Sequence, residues 1–299
     1  MENEPSKDSS DQISTVGKED SFKKSLNGLL LVLFTACSFL VINVGGYNNF
    51  IPTDMKLLAR VLVVGVLLVA TLILYRTEGA WKRYWRLSFS FLLSSIGLLL
   101  AWFFGRWYEL IPGLTTSTVE GIAVAKLAEV LPIISTILVG MWLVERDFTQ
   151  IFLRGGDLKK TFKLGLLLSP IALIPFIALG GLGLSAGIDE IVSWMPWMCV
   201  FAFSNAFMEE LMVRGIFLKK YDSLFGQRVS LLLTSVIFAI LHQAIIQYTD
   251  PITFSIFMGI TFILGLSWGY IMQKSDNIWG AVLAHAIADI LFILTVFGT

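Results

Sequence analysis

The sequence predicts an all-α integral membrane protein, a polytopic bundle of about eight to nine transmembrane helices. Of its 299 residues, 56% are hydrophobic and 15% are charged, whereas an average soluble domain is about 25% charged. The apolar residues are gathered into runs long enough to cross a bilayer, and the mean hydropathy is +0.78. Lysine and arginine are concentrated in alternate connections between these runs, which is typical of multispanning membrane proteins.

Nine apolar runs follow one another along the chain, and each is expected to be a helix because lipid offers no partner to a free backbone amide. They lie at about residues 25–47, 57–75, 87–104, 122–143, 162–184, 194–213, 229–247, 252–272 and 278–297. Pro170 and Pro175 are expected to kink the fifth run. Gly265, Gly269 and Gly280 are expected to let neighbouring helices approach closely.

The basic residues predict the orientation of the bundle. One side receives the lysines and arginines Lys7, Lys18, Lys23, Lys24, Arg76, Lys82, Arg83, Arg86, Arg146, Arg154, Lys159, Lys160, Lys163, Arg214, Lys219, Lys220, Arg228 and Lys274. The other side receives only Lys56, Arg60 and Arg106. The positive-inside rule then predicts a cytoplasmic N-terminus and an external C-terminus. Residues 1–24, which are polar and partly acidic, are expected to form a disordered cytoplasmic tail.

Charge and cysteine usage point away from several classes of function. The net charge is zero and the pI is near 6.7, so no basic surplus indicates a nucleic-acid partner. Cys37 and Cys199 each lie in an apolar run, and they offer no disulfide framework. The residues before Cys37 loosely resemble a lipoprotein cleavage site, which leaves lipidation of Cys37 as an alternative to an ordinary first span. Lys126 and Glu129 are expected to form an ion pair in the fourth run, with substrate contact as the alternative.

Ionisable residues in the last four runs are the candidates for chemistry, because a charge at the bilayer centre costs at least about 2.5 kcal/mol. They fall in three short groups, which are Glu209-Glu210-xxx-Arg214, Phe238-xxx-His242 and His285-xxx-Asp289. The chain has two histidines, and both belong to these groups. Since residues four apart share a helix face, Glu210 is expected to pair with Arg214 and His285 to lie in line with Asp289. Glu209 lacks such a partner and is expected to face the other helices.

Two histidines and neighbouring carboxylates on three helices favour hydrolysis by one of two routes. In the first, Glu209 takes a proton from a water molecule that His242 also holds, and the water attacks a carbonyl while His285 and Asp289 face the oxyanion. In the second, Glu209, His242 and His285 bind a divalent metal such as zinc. For Glu210 and Arg214, a structural ion pair is the alternative to a catalytic role.

The three groups resemble, in order, the motifs of the CAAX protease and bacteriocin-processing family of intramembrane proteases, also called CPBP or Abi, which is related to the prenyl-protein endopeptidase Rce1. Glu209-Glu210-xxx-Arg214 looks like its EExxxR, Phe238-xxx-His242 like its FxxxH, and His285-xxx-Asp289 like its HxxxN/D. The resemblance covers about residues 195–297. Asp289 stands where the prenyl endopeptidases have asparagine, and an aspartate donates a hydrogen bond only when protonated. Orienting His285 is therefore an alternative role for it.

The resemblance implies an intramembrane endopeptidase in which Glu209 and His242 activate water while His285 and Asp289 form the oxyanion site. Glu210 joins this catalytic set, Arg214 and Phe238 support it, and the core spans residues 191–299 behind N-terminal transmembrane helices at 25–190. The expected location is the bacterial cytoplasmic membrane. The expected partners are the lipid bilayer and a membrane-anchored protein or peptide substrate, for example a bacteriocin.

Two functions without proteolysis remain open from the sequence. Some members of the same family are known chiefly for protection, so the chain could be an immunity or scaffold protein that binds a peptide. A transporter that uses the ionisable groups as a proton relay is a further alternative, although the sequence shows no inverted repeat.

Overall fold

The structure is a computed structural model that describes residues 25–47, 50–153, 156–178, 181–243 and 250–298. The described residues are 85% helical and contain no strand, which confirms the predicted all-α membrane bundle. The segment predicted to be a disordered tail, residues 1–24, lies outside the described residues.

Eleven helices make up this part of the chain. In order they are α1 (Ser25–Val44), α2 (Thr53–Arg76), α3 (Trp85–Phe104), α4 (Val119–Val144), α5 (Leu158–Leu168), α6 (Leu173–Ala178), α7 (Ile188–Glu209), α8 (Leu218–Phe225), α9 (Gln227–His242), α10 (Pro251–Ser275) and α11 (Trp279–Phe297). The last turns of α1, at Leu40–Val44, and the segment after α7, at Glu210–Gly215, are π-helical.

Eight helical segments among the described residues have the length and apolar composition to cross a membrane. The seventh predicted run corresponds to α9, which has only 16 residues and so measures about 24 Å. It nevertheless runs antiparallel to most of α10. At one end the Gln273 side chain donates to the carbonyl oxygen of Gln227, 2.9 Å away, and at the other the His242 ring lies 6.5 Å from the Phe257 ring. α10 begins at Pro251, at the same end of the bundle as His242. The chain therefore crosses the bundle along α9 as well.

The connections rich in lysine and arginine meet at one end of the bundle, here called the basic end and defined by residues 145–153, 218–226 and 276–278. There Lys219 donates to the carbonyl oxygen of Thr149 at 2.7 Å and pairs with Asp276 at 2.6 Å. At the opposite end the backbone amide of Ser185 donates to the carbonyl oxygen of Gly298 at 2.7 Å. In α1, Phe34 packs against Tyr221 and Phe225 of the basic end, whereas Asn43 near its C-terminus accepts a hydrogen bond from Gln243 beyond the far end of α9. The described chain therefore starts toward the basic end and finishes at the opposite end.

The predicted kink of the fifth run is confirmed. A single turn of 3₁₀-helix at Ser169–Ala172 separates α5 from α6, and Pro170 is in the first positions of that turn. Proline lacks the amide hydrogen that a continuous helix needs, so the hydrogen-bond ladder stops there.

The predicted close approach of helices at glycines is also confirmed. A Cβ atom on Gly265 would lie 3.1 Å from the Cα of Ser235 on α9. A Cβ atom on Gly280 would overlap the carbonyl oxygen of Thr161 on α5. The small residues thus bring α5 against α11 and α9 against α10. Trp268 of α10 also contacts Phe238 of α9 and His285 of α11, so α10 lies against both helices that carry a histidine.

Candidate active site

Glu210 begins a π-helical turn that the sequence analysis, which assumed regular α-helical spacing, did not anticipate. The amide of Ile216 donates to the carbonyl oxygen of Leu211, five residues earlier, at 3.1 Å. A π turn shifts the residues that follow it round the helix axis, and such turns are frequent at functional sites. Every residue of Glu210–Gly215 is buried. The turn therefore inserts Glu210 and Arg214 together into the protein interior.

Glu210 links Arg214 to His285. Its Oε1 accepts a hydrogen bond from Nη1 of Arg214 at 2.6 Å and lies 2.9 Å from Nδ1 of His285. All three side chains are buried, and those of Glu210 and Arg214 have no exposed surface. Since a carboxylate paired with arginine only accepts hydrogen bonds, the Nδ1–H of His285 is the donor. The predicted pair of Glu210 and Arg214 is confirmed as a contact.

His242 is oriented by its own helix. Its Nδ1 lies 3.0 Å from the carbonyl oxygen of Phe238, four residues earlier. A carbonyl oxygen accepts hydrogen bonds and does not donate them, so Nδ1 carries the hydrogen. In the neutral ring this leaves Nε2 with a free lone pair, and Nε2 is the nitrogen that points toward Glu209.

Glu209 lies between the two imidazoles. Its Oε2 is 3.8 Å from Nε2 of His242 and 3.7 Å from Nε2 of His285. Both distances exceed a direct hydrogen bond, and this oxygen has no hydrogen-bond partner within the described part of the chain. A polar separation of this size is one that a water molecule can bridge. The carboxylate that the sequence left without a helix partner is thus the one facing α9 and α11, as predicted.

Asp289 faces the same group from one turn further along α11. Its Oδ1 lies 3.7 Å from Nε2 of His285, and its Oδ2 accepts a hydrogen bond from the side-chain amide of Asn205 at 3.0 Å. Asn205 is four residues before Glu209 and so lies on the same face of α7. The sequence analysis missed Asn205, although that spacing from Glu209 could have identified it.

Aromatic rings hold the imidazoles in place. Trp268 of α10 stacks on His285, with centroids 3.8 Å apart and planes 12° from parallel. Phe238 packs against the His242 ring at 4.3 Å and meets the His285 ring edge-on at 5.7 Å. The Arg214 guanidinium lies over the Phe238 ring, 4.6 Å from its centroid. Phe238 therefore contacts the buried cation and both imidazoles, while Trp268 was not anticipated from the sequence.

A cavity of about 400 Å³ joins these groups, and it is called the histidine cavity below. Glu209, His242, His285 and Asp289 line it, whereas Glu210 and Arg214 do not. Its remaining walls include Lys126, Phe176, Phe257 and Phe292, which lie on the parts of their helices toward the end away from the basic loops. The cavity is thus polar where Glu209 and the histidines meet and largely apolar toward that end.

In the metal alternative, the donors are Glu209, His242 and His285. Among the described residues, no group of three or more histidine, cysteine, aspartate or glutamate side chains has the arrangement of a metal site. The zinc alternative therefore stays a prediction.

Comparison with known proteins finds one family model that matches part of the chain. Residues 191–291, roughly a third of the chain, match the family model described as type II CAAX prenyl endopeptidase Rce1-like. No curated protein and no solved structure matches the chain. The matched segment contains Glu209, His242, His285 and Asp289, and the family supports a membrane-embedded protease. Residues 191–291 are therefore similar to the Rce1-like type II CAAX prenyl endopeptidases.

Proposed function

We propose that the protein is an intramembrane endopeptidase that hydrolyses a peptide bond in a membrane-associated protein or peptide. One observation carries the proposal. A buried carboxylate oxygen of Glu209, without a hydrogen-bond partner in the described structure, lies within 3.8 Å of Nε2 of both histidines on the wall of a cavity. Three polar atoms that converge without touching can hold and polarise one water molecule.

In the proposed reaction, Nε2 of His242 accepts a hydrogen bond from one O–H of the water and Glu209 takes the proton of the other. The water oxygen then bonds to the carbonyl carbon, and the electron pair of the C=O bond moves onto the carbonyl oxygen. Collapse of this intermediate breaks the C–N bond. The proton held by Glu209 passes to the leaving amine, so the enzyme returns to its starting state.

His285 and Asp289 are proposed to face the oxyanion. Because the Nδ1–H of His285 is directed to Glu210, the ring can donate from Nε2 only as an imidazolium. Glu209, Glu210 and Asp289, each within 3.7 Å of a ring nitrogen, provide the counter-charge that such a cation needs. Hydrogen-bond donors aimed at developing charge in a site that excludes bulk water are among the largest contributions to catalysis.

Glu210, Arg214 and Asn205 are proposed as positioning residues. Glu210 and Arg214 fix His285 through Nδ1, and Asn205 fixes Asp289. We also propose that residues 191–299 form the catalytic core and that 25–190 support it. The clearest such support is a 2.7 Å hydrogen bond from the Gln243 amide, next to His242, to Asn43 of α1.

The proposed setting is a bacterial cytoplasmic membrane with the N-terminus in the cytoplasm, because the basic loops gather at the end where the described chain begins. The histidine cavity then extends toward the outer face. A bacteriocin, a pheromone precursor or a membrane-anchored regulator fits this setting as substrate, and a prenylated CAAX protein fits where prenylation occurs.

The test compares membrane proteomes of cells that carry the wild-type chain or one of the variants Glu209→Gln, His242→Ala and Glu190→Gln. Glu190 is an exposed carboxylate on the same helix as Glu209 and serves as the matched control. A protease substrate should accumulate uncut with Glu209→Gln and His242→Ala but not with Glu190→Gln. A binding or immunity protein would instead keep its phenotype in all of these variants, and that result would reject the proposal.

A further inference from the structure

A second cavity of about 550 Å³ lies beside the first, mostly outside the segment that matches the family. Its polar lining includes Tyr47, Arg60, Trp102, Arg106, Lys126 and Glu129. It is called the arginine cavity here. Lys126, Phe201 and Phe292 line both cavities, so these three side chains form the wall between them.

Arg60 is the unusual group in the arginine cavity. Arg60 is buried, with 7% of its surface exposed. Its two terminal nitrogens donate to the carbonyl oxygens of Gly45 and Gly46 at 2.9 and 2.6 Å, and its guanidinium lies 4.5 Å from the centroid of the Trp102 ring. Its Nε has no hydrogen-bond partner, and no carboxylate lies within 4.0 Å of the guanidinium among the described residues.

The other charged residues that line the arginine cavity do not neutralise the positive charge of Arg60. Lys126 is paired with Glu129 at 2.7 Å, and Arg106 is paired with Glu109 outside the cavity lining. The lining thus holds the cations Arg60, Arg106 and Lys126 against the single carboxylate of Glu129. Buried charges are normally paired, so a cation without a counter-ion facing a cavity indicates an anionic ligand.

We propose that the arginine cavity is the subsite for one flank of the peptide substrate, and that Arg60 binds a carboxylate of that flank. The carboxylate is either an acidic side chain or the C-terminal carboxyl group. The peptide would cross the wall at Lys126, with its scissile bond beside Glu209. This inference takes its substrate class from the proposed endopeptidase function, but its binding site is separate from the reacting groups.

The test uses full-length protein in nanodiscs of zwitterionic lipid and an apolar peptide pool labelled with fluorescein at the N-terminus. Each peptide is made in three forms: a free C-terminal carboxylate without acidic residues, a C-terminal amide with one glutamate, and a C-terminal amide with glutamine in its place. Binding is measured by anisotropy and cleavage by mass spectrometry. Wild-type protein should bind one of the two carboxylate forms about tenfold more tightly than the uncharged form, which also identifies the source of the carboxylate.

Arg60→Gln should abolish this preference, while Arg60→Lys, which keeps the charge, should retain part of it. Arg76→Gln is the matched control, since Arg76 is an exposed arginine at the other end of the same helix. Thermal unfolding of each variant confirms that the fold is intact. Equal binding of the charged and uncharged forms by wild-type protein would overturn the proposal.

The two proposals fail in distinguishable ways. If binding shows a preference that depends on Arg60 but no peptide is cleaved, the carboxylate subsite is supported and the proposed protease function is rejected. If cleavage depends on Glu209 but is the same for peptides with and without the carboxylate, the protease function is supported and the proposed subsite is rejected. Arg60-dependent displacement of every peptide form by added phosphatidylglycerol would assign the cavity to a lipid headgroup, and the subsite proposal would then be wrong.

Discussion

Asp289 is the residue at which this chain departs from the asparagine of the prenyl endopeptidases, and its contacts make a direct prediction. Its Oδ2 accepts from Asn205, while its Oδ1 faces His285. In Asp289→Asn the side-chain oxygen can keep the bond from Asn205 while the amide gains a permanent donor toward the oxyanion. We expect this variant to retain cleavage activity.

Asp289→Ala, by contrast, removes every polar contact at that position. We expect kcat to fall by about 10²-fold or more, an effect similar to the loss of an oxyanion donor, because His285 loses the carboxylate that faces its Nε2. Steady-state kinetics of both variants decide the matter. Equal, large losses in Asp289→Asn and Asp289→Ala would show that the negative charge itself is required.

Arg214 carries a prediction about stability. Both side chains of its pair with Glu210 have no exposed surface, so Arg214→Ala leaves a buried carboxylate without its cation. Breaking a buried pair in this way costs about 3–5 kcal/mol. Arg106→Ala, which breaks the exposed pair with Glu109, should cost at most about 1 kcal/mol. Unfolding in detergent measures both free energies, and similar values for the two variants would contradict the structural role assigned to Arg214.

Helix elements could be predicted well from apolar runs because lipid enforces helical hydrogen bonding. The i, i+4 spacing also predicted the contact of Glu210 with Arg214. It did not reveal the π turn after Glu209, because that turn depends on the burial of Glu210 and Arg214 against α11 and not on a local signal. Trp268 was missed for a similar reason, since a tryptophan in an apolar run gives no sign of which helix it faces.

The contact between α5 and α11 is the element-scale feature most open to test. A methyl group added at Gly280 meets the backbone carbonyl of Thr161, which cannot rotate away as a side chain would. Gly280→Ala should therefore push the helices apart and destabilise the fold by about 1–3 kcal/mol.

Gly259 supplies the control for that substitution. It lies in the interior of α10, and nothing is within 4 Å of a Cβ atom built there. Gly259→Ala should be neutral or stabilising by up to about 1 kcal/mol, because alanine favours the helix. Thermal unfolding of both variants in the same lipid is the measurement. A tolerated Gly280→Ala would show that α5 can move relative to α11.

At the scale of the whole molecule, the short helix α9 determines the topology. If α9 crosses with its partner α10, the chain passes through the bilayer nine times and its two ends lie on opposite sides. We expect a fluorescent protein fused to the N-terminus to be active in the cytoplasm and alkaline phosphatase fused to the C-terminus to be active outside. Activity of both fusions on the same side would mean that α9 does not complete a crossing.

The three motifs predicted which residues meet, because ionisable residues are costly within a bilayer and usually mark a functional site there. They gave no indication of the arginine cavity, since Arg60 was assigned to an external connection by its place in the charge pattern. Its burial over Trp102 depends on how α2 packs against α3, and the apolar runs of these helices do not specify that packing.

The central claim is that Glu209 removes the proton from the attacking water, and the most direct measurement is cleavage of one identified substrate by purified variants in proteoliposomes. Glu209→Gln keeps the size of the side chain but cannot accept the proton, so its kcat should fall by about 10²- to 10⁴-fold, with KM changed little and the unfolding midpoint preserved. Glu190→Gln should match the wild type. Wild-type kcat in folded Glu209→Gln would contradict the account.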